Sequence, residues 1–269
     1  MDKTISILGC GWLGLPLAKQ LIDKGWHVKG SSTSKEKLIH LQKVGIKPYL
    51  IDVSNKDTLN PDFFASNYIV VNIPPSKVMR DAQQYLGLIA SIEHGLTSKV
   101  VFVSSTSVYP ANNAVVDESY CDDMADGENA ILDIERIFQR AQFQTTVIRF
   151  GGLVGGVRYP GRFFSPERVV KGGNHPVNII HLDDCIQIIE SVLDKNVFGE
   201  VFNGVADTHP TKSEFYALAA KLKGNAAPTF SNEQLPYKII SNKKLKSALG
   251  LRLKHPDLLQ LLENSDLWQ

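Results

Sequence analysis

The sequence predicts an α/β fold: a doubly wound parallel sheet with a small C-terminal α/β lobe. Three observations predict it. Strand-length apolar runs alternate with segments of helical period from residue 4 to residue 150. The first run, Ile5-Ser6-Ile7-Leu8, passes directly into Gly9-Cys10-Gly11-Trp12-Leu13-Gly14, a G-x-G-x-x-G at a strand-to-helix junction. The nearly unbroken apolar run Tyr68-Ile69-Val70-Val71-Asn72-Ile73 suits a strand covered by helices on both faces.

The elements follow in order. A first strand over 4–8 leads into a helix over 13–24, with Pro16 in the first turn, where its missing N–H is harmless, and Gly25 as the stop. Residues 26–30 read as a second strand. Ser34 is expected to cap a helix over 37–44 that ends at Gly45, and 46–51 is a third strand. The fourth strand, 68–73, is cut off by Pro74-Pro75. Residues 81–94 form an amphipathic helix with Tyr85, Leu88, Ile89 and Ile92 on one side, closed by Gly95. Strand 99–103, helix 129–141 and strand 145–150 complete the alternation. Beyond about Gly155 the pattern breaks into Pro/Gly turns and short helices, with helices expected over 210–222 and 242–249. The expected domains are 1–155, to which 174–205 returns, and a lobe over 156–269.

Composition narrows the functional classes. The 269 residues are 43% hydrophobic and 21% charged, ordinary for a globular chain long enough for a full core. A formal net charge of +1 offers no general attraction to nucleic acid or anionic membrane. No apolar run is long enough to span a bilayer, and Met1-Asp2-Lys3 runs into a strand rather than a leader, so a cytoplasmic location is expected. Cys10, Cys121 and Cys185 show no metal spacing and no paired framework; free thiols, and no metal site, are expected.

The glycine motif is made for a dinucleotide. Gly9 permits the tight turn, Gly11 lets a pyrophosphate approach the backbone, and Gly14 lets helix and strand pack closely. The helix N-terminus then faces the phosphates. In such sheets ligands lie outside the carboxyl ends of the strands. An NAD site ordinarily places a carboxylate at the end of the second strand for the ribose 2′-OH. Here that stretch reads Gly30-Ser31-Ser32-Thr33-Ser34-Lys35, hydroxyls and a lysine without a carboxylate. Ser31, Ser32, Thr33 and Lys35 therefore favour NADP(H), with NAD(H) as the alternative; a polar loop with a capping serine explains the same residues without a phosphate. Asp52-Val53, after the third strand, is placed to meet the adenine edge.

With these pieces in view the chain resembles the extended short-chain dehydrogenases/reductases, the nucleoside-diphosphate-sugar epimerase/dehydratase group, most closely its atypical YeeZ-like members. The matching pieces are Gly9–Gly14, Asp52-Val53, Asn72-Ile73-Pro74-Pro75, Ser104-Ser105-Thr106-Ser107-Val108-Tyr109, Asp117-Glu118, Arg149-Phe150-Gly151-Gly152-Leu153-Val154-Gly155, Asn178-Ile179-Ile180-His181-Leu182-Asp183-Asp184 and Phe202-Asn203-Gly204. Each is weak alone; their order and spacing cover nearly the whole chain. The resemblance implies a Rossmann-like fold and adds Trp12, Leu13, Ile73, Pro74, Pro75, Ser104, Phe150, Gly151 and Gly152 to the cofactor-binding residues. It implies that Ser105 hydrogen-bonds the reacting oxygen; a hydroxyl capping a strand end is the structural alternative.

The resemblance fails at one informative place. The family's acid/base pair is a tyrosine and a lysine four residues apart, and aligning Glu135 with the family's glutamate puts Gly127 and Ile131 at those positions. Neither moves a proton. Tyr109, Tyr120, Glu128 and His181 are the substitutes in reach, each with an ordinary structural explanation. On the substrate side, Arg158, Arg162 and His181 are the candidates; two arginines among Tyr159 and Phe163 could grip a nucleotide diphosphate, whereas a solvated loop is the plain alternative. Arg80 is a further candidate for the cofactor phosphates. Two functions are carried forward. One is an NAD(P)-dependent epimerase- or reductase-like oxidoreductase acting on a nucleotide-sugar or small carbonyl compound; the other is a catalytically silent NADP(H)-binding sensor or interaction module. The resemblance implies pairing of two copies through the helices that carry Tyr85, Leu86, Leu88 and Ile131, Ile134, Phe138, residues that suit core packing as well.

Overall fold

The computed structural model describes residues 3–73, 81–95, 97–165 and 167–268. Pro74, Pro75 and Arg80 lie outside the described residues. In chain order the strands are β1 (Thr4–Leu8), β2 (His27–Ser32), β3 (Lys47–Leu50), β4 (Tyr68–Val71), β5 (Lys99–Ser105), β6 (Ala114–Val116), β7 (Gln144–Phe150), β8 (Gly152–Val154), β9 (Val169–Lys171), β10 (Ile179–His181), β11 (Val201–Gly204), β12 (Thr229–Ser231) and β13 (Lys238–Ile240). The α-helices are α1 (Gly14–Asp23), α2 (Lys35–Lys43), α3 (Pro61–Phe64), α4 (Leu86–His94), α5 (Ala130–Gln139), α6 (Leu182–Lys195), α7 (Lys212–Leu222), α8 (Lys243–Leu249) and α9 (Leu258–Glu263).

Seven strands form one sheet in the order β11-β7-β5-β4-β1-β2-β3. The pairings of β1 with β2 and β4, of β2 with β3 and of β4 with β5 are parallel. The strand order reverses at β1, flanked by β2 and β4, and a ligand crevice is expected at such a reversal. The α/β fold class expected from the alternation is what the structure shows.

Contacts divide the chain into two compact units. Unit 1 comprises residues 1–108, 123–148 and 192–201; unit 2 comprises 109–122, 149–191 and 202–269. Unit 1 is built on the helices and strands that bury Leu8, Phe63, Phe64, Ile69, Val71, Tyr85, Leu88, Ile92, Phe102, Ile134 and Phe138 in one cluster. Burial of such side chains supplies about 1.5–3 kcal/mol each, the main drive for this layering. Unit 2 has its own core, in which Tyr159, Phe215, Leu258, Leu261, Leu262 and Trp268 pack together. Three two-stranded parallel ladders, β8–β10, β9–β12 and β6–β13, belong to it.

Several local expectations are corrected. The second strand runs on to Ser32 instead of stopping at Gly30, because Gly30, Ser31 and Ser32 pair with Pro48, Tyr49 and Leu50. Ser34 holds the N-cap position of α2 with an extended backbone, but its side chain makes no capping bond. Residues 81–94 begin as a 3-10 turn over Ala82–Tyr85, started by an Asp81/Gln84 capping box, and become α-helical only at Leu86. The helix expected from 210 starts at Lys212, where Thr211 and Glu214 form a reciprocal cap. Tyr85, Leu88, Ile134 and Phe138, considered for a dimer face, are buried in the core of unit 1, whereas Leu86 is exposed.

Candidate functional site

In unit 1 a cavity of about 400 Å³ lies beyond the carboxyl ends of β1 to β4. It is lined by the ends of all four strands: Leu8 to Gly11, Ser31 to Thr33, Ile51 to Val53 and Asn72-Ile73, together with Lys37. The local sequence makes this wall. Gly9 adopts φ +100°, and a Cβ there would lie 2.5 Å from the Asn72 carbonyl oxygen. A Cβ on Gly14 would collide with the Gly9 carbonyl. Gly11 differs from both: its φ is not positive, and nothing lies within 4 Å of where its Cβ would be. The chain's own packing therefore does not require glycine at that position. The bare backbone borders open space at the start of α1, where the first N–H groups of a helix have no intrahelical acceptor.

Hydrogen bonds hold this turn in shape. The Gly9 amide donates to Ser31 Oγ (2.9 Å), and the Cys10 amide donates to the Ser31 carbonyl (2.9 Å). Asn72 Nδ2 donates to the Gly9 carbonyl (3.1 Å), and the Asn72 amide donates to the Leu8 carbonyl (2.9 Å). Ser31 is buried, with its hydroxyl oxygen turned to the loop, while Ser32 Oγ accepts the Ser34 amide (3.1 Å). Burial pushes the Cys10 thiol up to about 12, so it stays neutral beside the turn. Asp52 is exposed; its carboxylate accepts the Ser54 hydroxyl (2.6 Å) and amide (3.0 Å), which hold it below the usual carboxylate range.

Of the residues expected at a cofactor, the structure gathers Gly9, Gly11, Ser31, Ser32, Thr33, Asp52, Val53 and Ile73 around this cavity. Trp12, Leu13, Gly14, Lys35 and Ser104 do not line it, nor do Phe150, Gly151 and Gly152, which lie in unit 2. Gly14 still shapes the wall by letting α1 start against Gly9. Sequence reasoning passed over Lys37 and quoted Asn72 as part of the resemblance without assigning it to the site. Lys37 is the third residue after Ser34, in the first turn of α2, and that spacing was the available signal. Asn72 is the first polar residue after a buried strand, which points to a structural bond at its end.

At the end of β5, Ser104 is buried and its hydroxyl donates to the buried Glu135 of α5. Ser105 is half-buried, and its Oγ accepts the Ser107 amide (3.1 Å). Gly127 sits in an exposed turn at φ +90°, ahead of α5 rather than on it, with its amide donating to Asp133 Oδ1 (2.9 Å). The helix starts at Ala130 under an Asn129 cap, so Ile131 lies in its first turn, half-buried. Glu128 is exposed.

In unit 2 a buried polar network surrounds Tyr109. Its hydroxyl donates to Asn203 Oδ1 (2.8 Å) and accepts from Arg149 Nη1 (2.7 Å), and the guanidinium lies 5.0 Å from the ring centre. The Asn203 amide donates to Glu118 (2.7 Å). Burial raises the pKa values of both Tyr109 and Glu118. A buried phenol held neutral between two partners serves packing and hydrogen bonding better than proton transfer. Tyr120 packs edge-on to it and is partly exposed. Arg158 and Arg162 are both exposed, the first closing a turn with Gly155 and the second in a 3-10 turn. His181 is 3% exposed; its Nδ1 accepts the Asp183 amide (3.2 Å), and its buried Nε2 has no hydrogen-bond partner among the described residues. Burial lowers its pKa to about 4, so it is neutral at pH 7.

No family model matches the chain. Protein YeeZ of Escherichia coli strain K12 is 29% identical over 276 residues, spanning 96% of this chain and 98% of YeeZ. Among solved structures, the UDP-glucose 4-epimerase of Thermotoga maritima with UDP-glucose superposes with a TM-score of 0.78 at 17% identity, over 97% of each chain. The Bordetella bronchiseptica enzyme WbmG in complex with NAD gives 0.78 at 14% identity, over 97% of this chain and 92% of WbmG. The likeness to YeeZ read from the residues extends along almost the full length, and the fold is that of the two enzyme structures.

Proposed function

Taking the extended short-chain dehydrogenase/reductase resemblance as premise, we propose that this chain binds a nicotinamide dinucleotide, with NADP(H) preferred. In this reading it acts as an epimerase- or reductase-like oxidoreductase on a nucleotide-sugar or small carbonyl compound. One observation carries the cofactor reading: the open space over Gly11, at a helix start that the chain's own packing leaves accessible. A pyrophosphate fits there because the backbone is bare and the helix end is positive. The known structures with UDP-glucose and with NAD support the substrate and cofactor classes.

The chain's residues divide the work. The Gly9–Gly14 turn, held by Ser31 and Asn72, takes the pyrophosphate. Asp52 and Val53 meet the adenine edge. Ser32, Thr33 and Lys37 form the rim where a 2′-phosphate is neutralised, and the end of β2 carries no carboxylate to accept a 2′-OH. A bound dinucleotide supplies hydride transfer at its nicotinamide ring. Ser105 is assigned to the substrate oxygen, to which its hydroxyl can donate while its oxygen accepts the Ser107 amide. With Gly127 and Ile131 at the tyrosine and lysine positions, the proton is carried by a substrate group or water. Arg158, Arg162 and His181 remain the substrate-side assignments, and a cytoplasmic homodimer remains part of the proposal.

Fluorescence titration with NADPH and NADH, followed by a screen of nucleotide-sugars and carbonyl compounds, tests this reading. Tighter binding of NADPH and hydride exchange on one substrate class are expected. Ser105→Ala is expected to lower turnover about 100-fold with little change in cofactor affinity. Tight binding without exchange on any substrate would leave the silent sensor as the function.

A further inference from the structure

Outside the dinucleotide cavity, one group of side chains in unit 2 is placed for chemistry beyond the proposed reaction, which calls on His181 alone of its three members. His181, at the end of β10, Asp183, in the first turn of α6, and His255, in the segment before α9, bring one ligand atom each within 4.8 Å of one another. Asp183 Oδ2 lies 3.5 Å from His181 Nδ1 and 3.2 Å from His255 Nε2. The two imidazoles meet edge to face with centroids 4.4 Å apart. More than 70 residues separate His255 from the other two, which is why spacing in the sequence gave no sign of the set.

We propose that His181, Asp183 and His255 form a binding site for a zinc-class divalent transition metal ion. Two imidazoles and a carboxylate are a donor set suited to such ions, and hard cations such as Mg²⁺ prefer all-oxygen sites. The spacing supports the assignment. Ligand bonds of about 2.0–2.1 Å in a tetrahedron put neighbouring donor atoms about 3.3–3.4 Å apart. The two separations that meet at Asp183 Oδ2 straddle that value, and the third edge is no longer than 4.8 Å. His181 Nδ1 accepts an amide hydrogen and so carries a lone pair; the amide contact, at 3.2 Å, is long and easily yielded. Asp183 is 38% exposed, which leaves solvent access for a fourth ligand, while His181 and His255 are 3% and 15% exposed.

The bound ion would clip the 253–257 segment to the start of α6. That connection already exists in weaker form. The buried Asp184 accepts the amides of Lys254 (2.6 Å) and His255 (3.2 Å). The site thus reinforces a junction between two parts of unit 2, and the proposal stands independently of the dinucleotide reading.

Tag-free protein, stripped with EDTA, titrated calorimetrically with Zn²⁺ and separately with Mg²⁺ tests it. One Zn²⁺ per chain and no Mg²⁺ binding are expected. Zn²⁺ at about 100 times its dissociation constant should raise the melting temperature by about 5 °C. His255→Asn and Asp183→Asn should each weaken Zn²⁺ at least tenfold and abolish the shift, whereas His94→Asn, on an exposed position of α4, should change neither. Co²⁺ added to the wild-type protein should give the intense visible bands of a tetrahedral site, a readout that needs no variant to fold. Absence of saturable Zn²⁺ binding below about 100 μM, a Kd equivalent to only about 5.5 kcal/mol, would overturn the proposal and leave a hydrogen-bonded triad. Binding that both variants retain would equally overturn it.

Discussion

Gly9 and Gly11 separate what a residue does for the fold from what it does for a ligand. Gly9 needs its left-handed backbone and has the Asn72 carbonyl where a Cβ would go. Gly9→Ala should therefore destabilise the protein by about 1–3 kcal/mol, read as a lowered urea midpoint. Gly11 meets neither constraint. Gly11→Ala should leave that midpoint within about 0.5 kcal/mol of wild type, yet weaken NADPH at least tenfold in a fluorescence titration. Unchanged NADPH affinity in the Gly11 variant would remove the observation on which the proposed function rests. Both glycines were legible in the sequence as a motif, but the motif gives them the same letter. Only the packing around each shows that the chain itself requires glycine at the first and not at the second.

At the scale of elements, the proposed preference between cofactors rests on the end of β2 and the start of α2. The sequence placed a loop after Gly30 and assigned its hydroxyls and Lys35 to the phosphate. Pairing with β3 carries the strand on to Ser32, which buries Ser31 and commits its oxygen to the Gly9 amide. Such pairing is non-local, so local residue preferences could not register it. The extension also moves the rim of the cavity, and the lysine that lines it is Lys37 rather than Lys35. Lys37→Ala should weaken NADPH five- to tenfold and leave NADH within about twofold, a loss of about 1–1.4 kcal/mol from one exposed charge–phosphate contact. Lys35→Ala should change neither affinity. The helices were more readable than this junction, since their apolar period survives any tertiary context; α4 and α5 differ from expectation mainly at their ends, where caps decide.

Across the molecule, the alternation of strands and helices and the order of weak motifs fixed the fold class, because each strand-to-helix step constrains the next. What they could not show is which distant polar residues end up buried together. The network of Glu118, Asn203, Tyr109 and Arg149 draws on three stretches of the chain, and its consequence is a pH dependence of stability. Burial raises the folded-state pKa of Glu118, so ionisation is resisted in the folded chain and not in the unfolded one. The folded state is favoured when this group is protonated, below its unfolded pKa of 4.5. That advantage is lost as pH rises through 4.5 toward the higher folded value, beyond which this group no longer changes the stability with pH. Glu118→Gln retains a carbonyl oxygen to accept the Asn203 amide and removes the titration. The variant should therefore gain stability relative to wild type between pH 4 and pH 7, measured by paired urea denaturation at the two values. A variant that loses ground over that interval would show that the carboxylate is held by its hydrogen bonds and by Lys244 more strongly than burial resists it.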